Sequence, residues 1–296
     1  MSCGGIWRVS GAGAPQAFCF AALVLLPMMT CAASAGEQRN AADSASLPSA
    51  AILIDGDDRL SPADYARANG LSPAQMAGRF GATGIVRCGG AVGTGQLVEA
   101  NNVLLTAAHV LVAPGGAPRG TGEDCTFEID AGGERQHVPI LVERAMTGAR
   151  EPYAMPAIHD WAVAPLLAPV RAARAYPLAP AMKVPGAVVL VAAARSGGEE
   201  SHSLERCSAR QVTAQGPGGL REVALDCDAE GGTSGSALLT PKGGLVGLYV
   251  GFRSSHPGTP GPFSMSHYNF ALTVEGPLRQ AIMSAARRSE PVTASR

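Results

Sequence analysis

The sequence predicts an all-β protein: two antiparallel six-stranded β-barrels followed by a short C-terminal helix. Three observations carry this. Thirty-seven glycines and 22 prolines in 296 residues cut the chain into short runs, the pattern of many strands joined by turns. From Gly84 onward, about six strand-like runs lie on either side of a crossing that holds Pro169, Pro177, Pro180 and Pro185, as two antiparallel barrels would need. After the last run, Pro277 can open a helix whose Leu278, Ala281, Ile282 and Ala285 share one apolar face. Arg287 and Arg288 then favour its negative C-terminal end. A hydrophobic content of 46% is ample for a core, and a double barrel of about 200–250 residues commonly folds as one unit.

Taken in order, residues 1–35 read as an export signal. Arg8 supplies a positive flank, Ala17 to Met29 form an apolar run broken by Pro27, and Ala33-Ser34-Ala35 offers a small-x-small cleavage site. The run is shorter than the roughly 20 residues of a comfortable membrane span; the alternative is an uncleaved anchor. Cys31 raises a lipid-anchor reading, but Thr30 before it suits that signal poorly. Residues 36–80 are a spacer followed by an N-terminal arm or propeptide. The stretch 36–50 is Ala/Ser-rich and weakly patterned. Ser61-Pro62 and Ser72-Pro73 each mark a helix start, with serine as N-cap and proline in the first turn. Asp55, Asp57 and Asp58 read as a solvated acidic turn, because the rest of a calcium-loop pattern is missing.

The folded domain is expected over 81–289, with the first barrel at about 81–168, the second at about 185–275, and 290–296 as a tail. Strands of the first half are read at Ile85–Cys88, Ala91–Val98, Val103–Thr106, Cys125–Ile129, Val138–Val142 and Asp160–Leu167. Those of the second are Ala187–Ala193, Ala209–Val212, Glu222–Cys227, Ser236–Leu239, Leu245–Val250 and Tyr268–Val274. A net charge of −1 gives no support to nucleic-acid or membrane-surface binding. Nothing in the sequence requires a cofactor or a metal.

The chemistry concentrates in three short blocks. Glu230-Gly231-Gly232-Thr233-Ser234-Gly235-Ser236-Ala237 sets a serine on a tight loop between small residues, where backbone N–H groups can point at one spot. Attack on a carbonyl needs both a hydroxyl and donors for the charge that develops on oxygen. Upstream, Thr106-Ala107-Ala108-His109 places a histidine at the end of an apolar strand. Between them, His159-Asp160-Trp161-Ala162-Val163 places an aspartate at the start of another. Each block alone is weak, since Gly, Ser and Asp are ordinary turn residues. Their order and spacing are not.

In these blocks, and in Gly244-Leu245-Val246-Gly247-Leu248-Tyr249-Val250-Gly251, the chain resembles the chymotrypsin-like (trypsin-fold) serine proteases over about residues 80 to 285. It is nearer the bacterial glutamyl-endopeptidase branch than the mammalian digestive enzymes. The resemblance implies an exported serine endopeptidase, secreted or periplasmic in a bacterium, acting on protein or peptide substrates. It carries no stable membrane span once the signal is removed, and a monomer is expected. Ser234 would be the nucleophile. His109 would be general base and then acid, because imidazole alone titrates near neutrality without a large shift. Asp160 would hold the ring's tautomer and stabilise the imidazolium. The backbone N–H groups of Gly232 and Ser234 would form the oxyanion hole. His159 is read as a bystander, and His137, His202, His256 and His267 are given no role.

Three of the seven cysteines, Cys3, Cys19 and Cys31, fall in the signal segment, leaving Cys88, Cys125, Cys207 and Cys227. An even remainder in an exported chain points to two disulfides, and four cysteines allow three pairings. The expected pairs are Cys88–Cys125, bracketing the histidine, and Cys207–Cys227, ahead of the serine. For substrate binding, Asp228, six residues before Ser234, stands where the resemblance suggests a preference for basic residues. Tyr249 falls near the place where glutamate-specific relatives use histidine, and Gly251 could open the pocket mouth. Thr233 replaces the aspartate that animal members pair with a new N-terminus, so activation here would use another trigger.

Other readings fit less well. The α/β-hydrolases place serine first and histidine last, and the glycines at 90, 93 and 95 open no helix, so they are no dinucleotide loop. The rival from another class is a protease-fold binding protein that has lost catalysis.

Overall fold

The computed structural model describes residues 51–153, 157–194 and 200–289. The expected export signal at 1–35, the spacer to residue 50 and the tail at 290–296 lie outside the described residues. The first half of the domain holds strands β1 (Thr83–Cys88), β2 (Ala91–Val98), β3 (Ala100–Thr106), β4 (Cys125–Ala131), β5 (Glu134–Pro139), β6 (Met146–Thr147) and β7 (Ala162–Pro165). They form one antiparallel sheet in the order β5-β4-β1-β2-β3-β7-β6. β4 illustrates why: Cys125, Phe127, Ile129 and Ala131 are buried while Thr126, Glu128 and Asp130 alternate outward, the period of a half-buried strand.

This half was expected to hold six strands and has seven, since the two-residue β6 adds an edge beyond β7. The sheet nevertheless curls back on itself. Leu141 donates to the Pro165 carbonyl (3.0 Å) and Leu167 to that of Pro139 (2.9 Å), so the ends of β5 and β7 meet around the Ile140–Leu166 bridge.

The second half is a closed six-stranded barrel, β10-β13-β12-β11-β8-β9. Its strands are β8 (Gly186–Ala194), β9 (Glu200–Gln215), β10 (Arg221–Leu225), β11 (Ala237–Leu239), β12 (Leu245–Ser254) and β13 (His267–Thr273). β9 runs for 16 residues, far beyond the expected Ala209–Val212. Its N-terminal half is polar and has no strand-like look in sequence, yet it pairs along β8, while the C-terminal half pairs with β10 to close the barrel.

Both expected disulfides are present. Cys88 and Cys125 stand directly opposite each other on β1 and β4, and Cys207 on β9 is bonded to Cys227 just past β10.

Before the first barrel, α1 (Pro62–Asn69) and α2 (Pro73–Phe80) begin where the sequence places them. Ser61 accepts from the Asp64 N–H, and Ser72 forms a reciprocal capping box with Gln75. The edge of Tyr65 against Phe80, at 5.4 Å between ring centroids, joins the two helices. A single turn, α3 (Ala108–Leu111), follows β3. The C-terminal helix α4 (Gly276–Ser289) buries Leu278, Ala281, Ile282 and Ala285 against β3 and β7. Among the described residues no helix is long and apolar enough to cross a membrane.

Candidate active site

His109, Asp160 and Ser234 line one open cleft of about 340 Å³. His109 sits on α3, one turn past the last residues of β3, rather than on the strand itself. Asp160 follows a tight turn, Ala157–His159, and is almost fully buried. It grips the histidine at two points. One carboxylate oxygen lies 2.6 Å from His109 Nδ1 and the other accepts the His109 backbone N–H at 2.9 Å. A proton on Nδ1 is thereby held toward the carboxylate, leaving Nε2 as the ring's acceptor. Trp161 is buried beside the aspartate.

Ser234 comes to the cleft from the second half, and the first half holds its loop. The Thr94 N–H donates to the Ser234 carbonyl (2.8 Å), and the Thr94 hydroxyl donates to the Gly232 carbonyl (2.9 Å). Gly235 has φ +90°, and a Cβ there would stand 2.1 Å from the Thr94 carbonyl oxygen and 2.4 Å from Thr106 Oγ1. Only glycine fits that approach. Gly93 likewise makes room for the Ser234 carbonyl, a role that depends on a residue 141 positions away (234 − 93). The Ser234 hydroxyl donates to the Val250 carbonyl at 3.3 Å and makes no hydrogen bond to His109.

The turn before Ser234 is closed by Thr233. Its N–H donates to the Glu230 carbonyl (3.1 Å), and its hydroxyl accepts the Glu230 N–H (3.2 Å). Gly232 adopts φ +92°. Among the described residues neither the Gly232 nor the Ser234 N–H has a protein acceptor.

The three residues expected to bind substrate part company. Tyr249 and Gly251 line the cleft, together with Val250, Phe252 and Phe270. Tyr249 is otherwise a core residue, its hydroxyl bonded to Asn269 (2.8 Å). Asp228 is a correction. It is 1% exposed and does not line the cleft. Its carboxylate accepts the backbone N–H groups of Ile54 and Asp58, each at 2.7 Å. Closeness along the chain to Ser234 does not bring it to the pocket, because Ala229 and Asp228 turn toward the N-terminal arm. Burial raises its pKa to about 6, opposed by those two hydrogen bonds. Glu205 accepts the Asp228 N–H (2.7 Å), and burial, reinforced by the Asp228 charge, lifts its pKa to about 9.

Sequence reading missed Tyr153. Half-exposed at the rim, its ring centroid is 6.3 Å from that of His109, and its hydroxyl is bonded by Arg119 Nη2 (2.5 Å). Arg119 Nε also holds the His109 carbonyl (2.9 Å). Neither residue stands in a block with a local signature. His267, given no role in sequence, accepts or donates at both ring nitrogens, to Ser254 Oγ and the Leu53 carbonyl.

A family model, the trypsin-like peptidase domain, matches residues 93–248. The chain belongs to that family. By that family it is a serine endopeptidase in class. The match runs from Gly93 through Ser234 to Leu248 and so takes in all three blocks. Solved structures agree on the fold. A Glu endopeptidase complex with MPD is similar at a TM-score of 0.60 and 14% identity, covering 80% of this chain and all of that one. Neuropsin from mouse brain, a serine protease, gives 0.52 at 13% identity over 72% and 96%. The thermostable serine protease AL20 from an extremophilic microorganism gives 0.50 at 17% over 71% and 98%. No curated protein is significantly similar to the chain in sequence.

Proposed function

We propose that this chain is an exported serine endopeptidase that cleaves peptide bonds through an acyl-enzyme, with His109, Asp160 and Ser234 as its triad. The observation that carries the reading is the two-point grip of Asp160 on His109 within a cleft that Ser234 also lines. A ring fixed at Nδ1 and at its own backbone presents Nε2 to the cleft. Turning the Ser234 hydroxyl from Val250 toward Nε2 lets imidazole take its proton as oxygen attacks the carbonyl carbon; catalytic hydrogen bonds are often loose before substrate binds. The imidazolium then gives that proton to the leaving amine, and a water repeats the sequence to free the acid. The N–H groups of Gly232 and Ser234 are the donors for the oxyanion, each worth roughly 3–4 kcal/mol in comparable sites.

The cleft favours uncharged side chains. Val250, Gly251, Phe252 and Phe270 make its wall apolar, and Glu230 is the acidic residue beside Gly231 on its lining. A glutamate in the substrate would lose its hydration against that apolar wall, so the preference named for the Glu endopeptidase is not carried over. Export rests on the N-terminal signal pattern, and two disulfides suit an oxidising compartment. The deciding experiment is labelling with a fluorophosphonate probe, beside peptide hydrolysis, for the wild type and Ser234→Ala. Labelling of the wild type alone and a loss of about 10⁴-fold or more in rate are expected. A loss under tenfold would favour the inactive binding protein instead.

A further inference from the structure

The N-terminal arm is bonded into the turn that precedes the serine. Ile52 and Ala229 exchange two backbone hydrogen bonds (2.7 and 3.0 Å), and the Asn269 side-chain amide donates to both the Ile52 and Cys227 carbonyls. Leu53 and Asp55 pair with Gly261. Ile54 and Asp58 close on the Asp228 carboxylate. Arg59 then reaches back. Its Nε and Nη2 hold both oxygens of Asp57 at 2.8 Å, and its Nη1 holds Glu230 Oε1 at 2.5 Å. The side chain is 8% exposed, an unusual burial for arginine unless its charge is matched on both sides.

Glu230 is the hinge post of the oxyanion turn. Its carbonyl and its N–H both bond Thr233, and the two residues between them are Gly231 and Gly232. Two glycines supply almost no conformational restraint of their own. The path of the turn is therefore set from its ends, Thr233 on one side and Glu230 on the other. The Glu230 side chain is in turn fixed by an arginine 171 residues earlier. A planar guanidinium with several donors can bridge two carboxylates in a fixed plane; a lysine ammonium cannot.

We propose that Arg59 is a positioning residue for the oxyanion turn, and that residues 51–60 are a permanent strap of the working enzyme rather than a removable propeptide. The proposal rests on the serine-peptidase reading above. It accounts for the arm's hydrogen bonds falling on Asp228, Ala229 and Glu230, the three residues that lead into Gly231. It also supplies an internal brace to a chain whose Thr233 cannot form an ion pair with a new N-terminus.

The test compares full-length exported wild type with Arg59→Ala, Arg59→Lys and Glu230→Gln, reading fluorophosphonate labelling rate, kcat and KM on one peptide, and thermal unfolding. Expected is a fall of roughly 10²-fold in kcat and labelling for Arg59→Ala with KM changed less than about threefold, since a misplaced donor costs the transition state and not the ground state. Arg59→Lys should recover part of the rate, and Glu230→Gln should behave like a weaker Arg59→Ala. Intact mass of the labelled wild type should include residues 51–60. Folded Arg59→Ala and Glu230→Gln proteins that both label at the wild-type rate would overturn the proposal. So would an active species that begins after Arg59. Should Arg59→Ala not fold, Arg59→Lys and Glu230→Gln decide the matter alone. A wild type that neither labels nor cleaves fails the peptidase reading itself, a result distinct from a wild type that labels while the variants match it.

Discussion

The His109–Asp160 pair and the Ser234 loop reach the same cleft with opposite kinds of support. The pair is local: two bonds join neighbouring segments within the first barrel, and one carboxylate makes both. The loop is composite. β2 holds its carbonyls, β12 accepts the Gly235 N–H through Tyr249, and the arm grips its approach through Glu230. The contrast teaches that the His109 ring is held by one carboxylate, whereas the surroundings of Ser234 are an agreement among three distant parts of the chain. Substitutions in the pair should cost rate and leave the fold alone; substitutions around the loop should cost both.

The largest expected effect breaks the pair. Asp160→Asn should lower kcat by about 10⁴-fold, by analogy with the corresponding change in other triads, with little change in melting temperature. A fall under tenfold, measured on the same peptide, would mean the grip is structural only. Next comes the loop. Gly235→Ala should destabilise the protein by about 3–4 kcal/mol, from a positive φ and a Cβ driven against the Thr94 carbonyl, and abolish labelling as well. Urea unfolding checks it, and an unchanged midpoint would show that β2 is free to withdraw. Replacing Cys207 and Cys227 by alanine should cost about 2–3 kcal/mol and loosen the Asp228 anchor of the arm, read as faster hydrogen exchange at Ile54 and Asp58.

The gentlest change sharpens the comparison through pH. Glu205 keeps its proton up to about pH 9 in the folded chain and loses it near its ordinary value of 4.5 when unfolded. The folded state therefore binds the extra proton between those values, and its contribution to stability is lost as pH rises through that window. Asp228 adds the same sign between 3.8 and about 6. Glu205→Gln should flatten the decline of melting temperature from pH 5 to 9, a difference of at most about 1.4 kcal/mol per pH unit. Parallel profiles for the two proteins would show that Glu205 ionises freely.

What could be read from sequence was what local chemistry records. Ser61 and Ser72 announce their helices because an N-cap and a following proline act within four residues. The three blocks survive translation into space because each lies beside a strand-like run, and the four cysteines because few pairings are open to them. What could not be read depends on contacts between remote segments. The polar first half of β9 is a strand because β8 pairs along it. Asp228 looks like a pocket residue by its distance along the chain and is turned aside by the arm. Arg59 and Glu230, Thr94 and Gly232, Tyr153 and Arg119 are each pairs of ordinary residues until the fold brings them together.

Thr94 has one more consequence. Its single hydroxyl accepts the Ala193 N–H from β8 (3.1 Å) while donating to Gly232. A strand of each half and the serine's own turn thus share one oxygen atom. Any sliding of one barrel over the other must be transmitted to the turn as a displacement, without slack. On warming, the shared joint should yield before the ladders of either sheet, so the protein should fall silent while its strands are still intact.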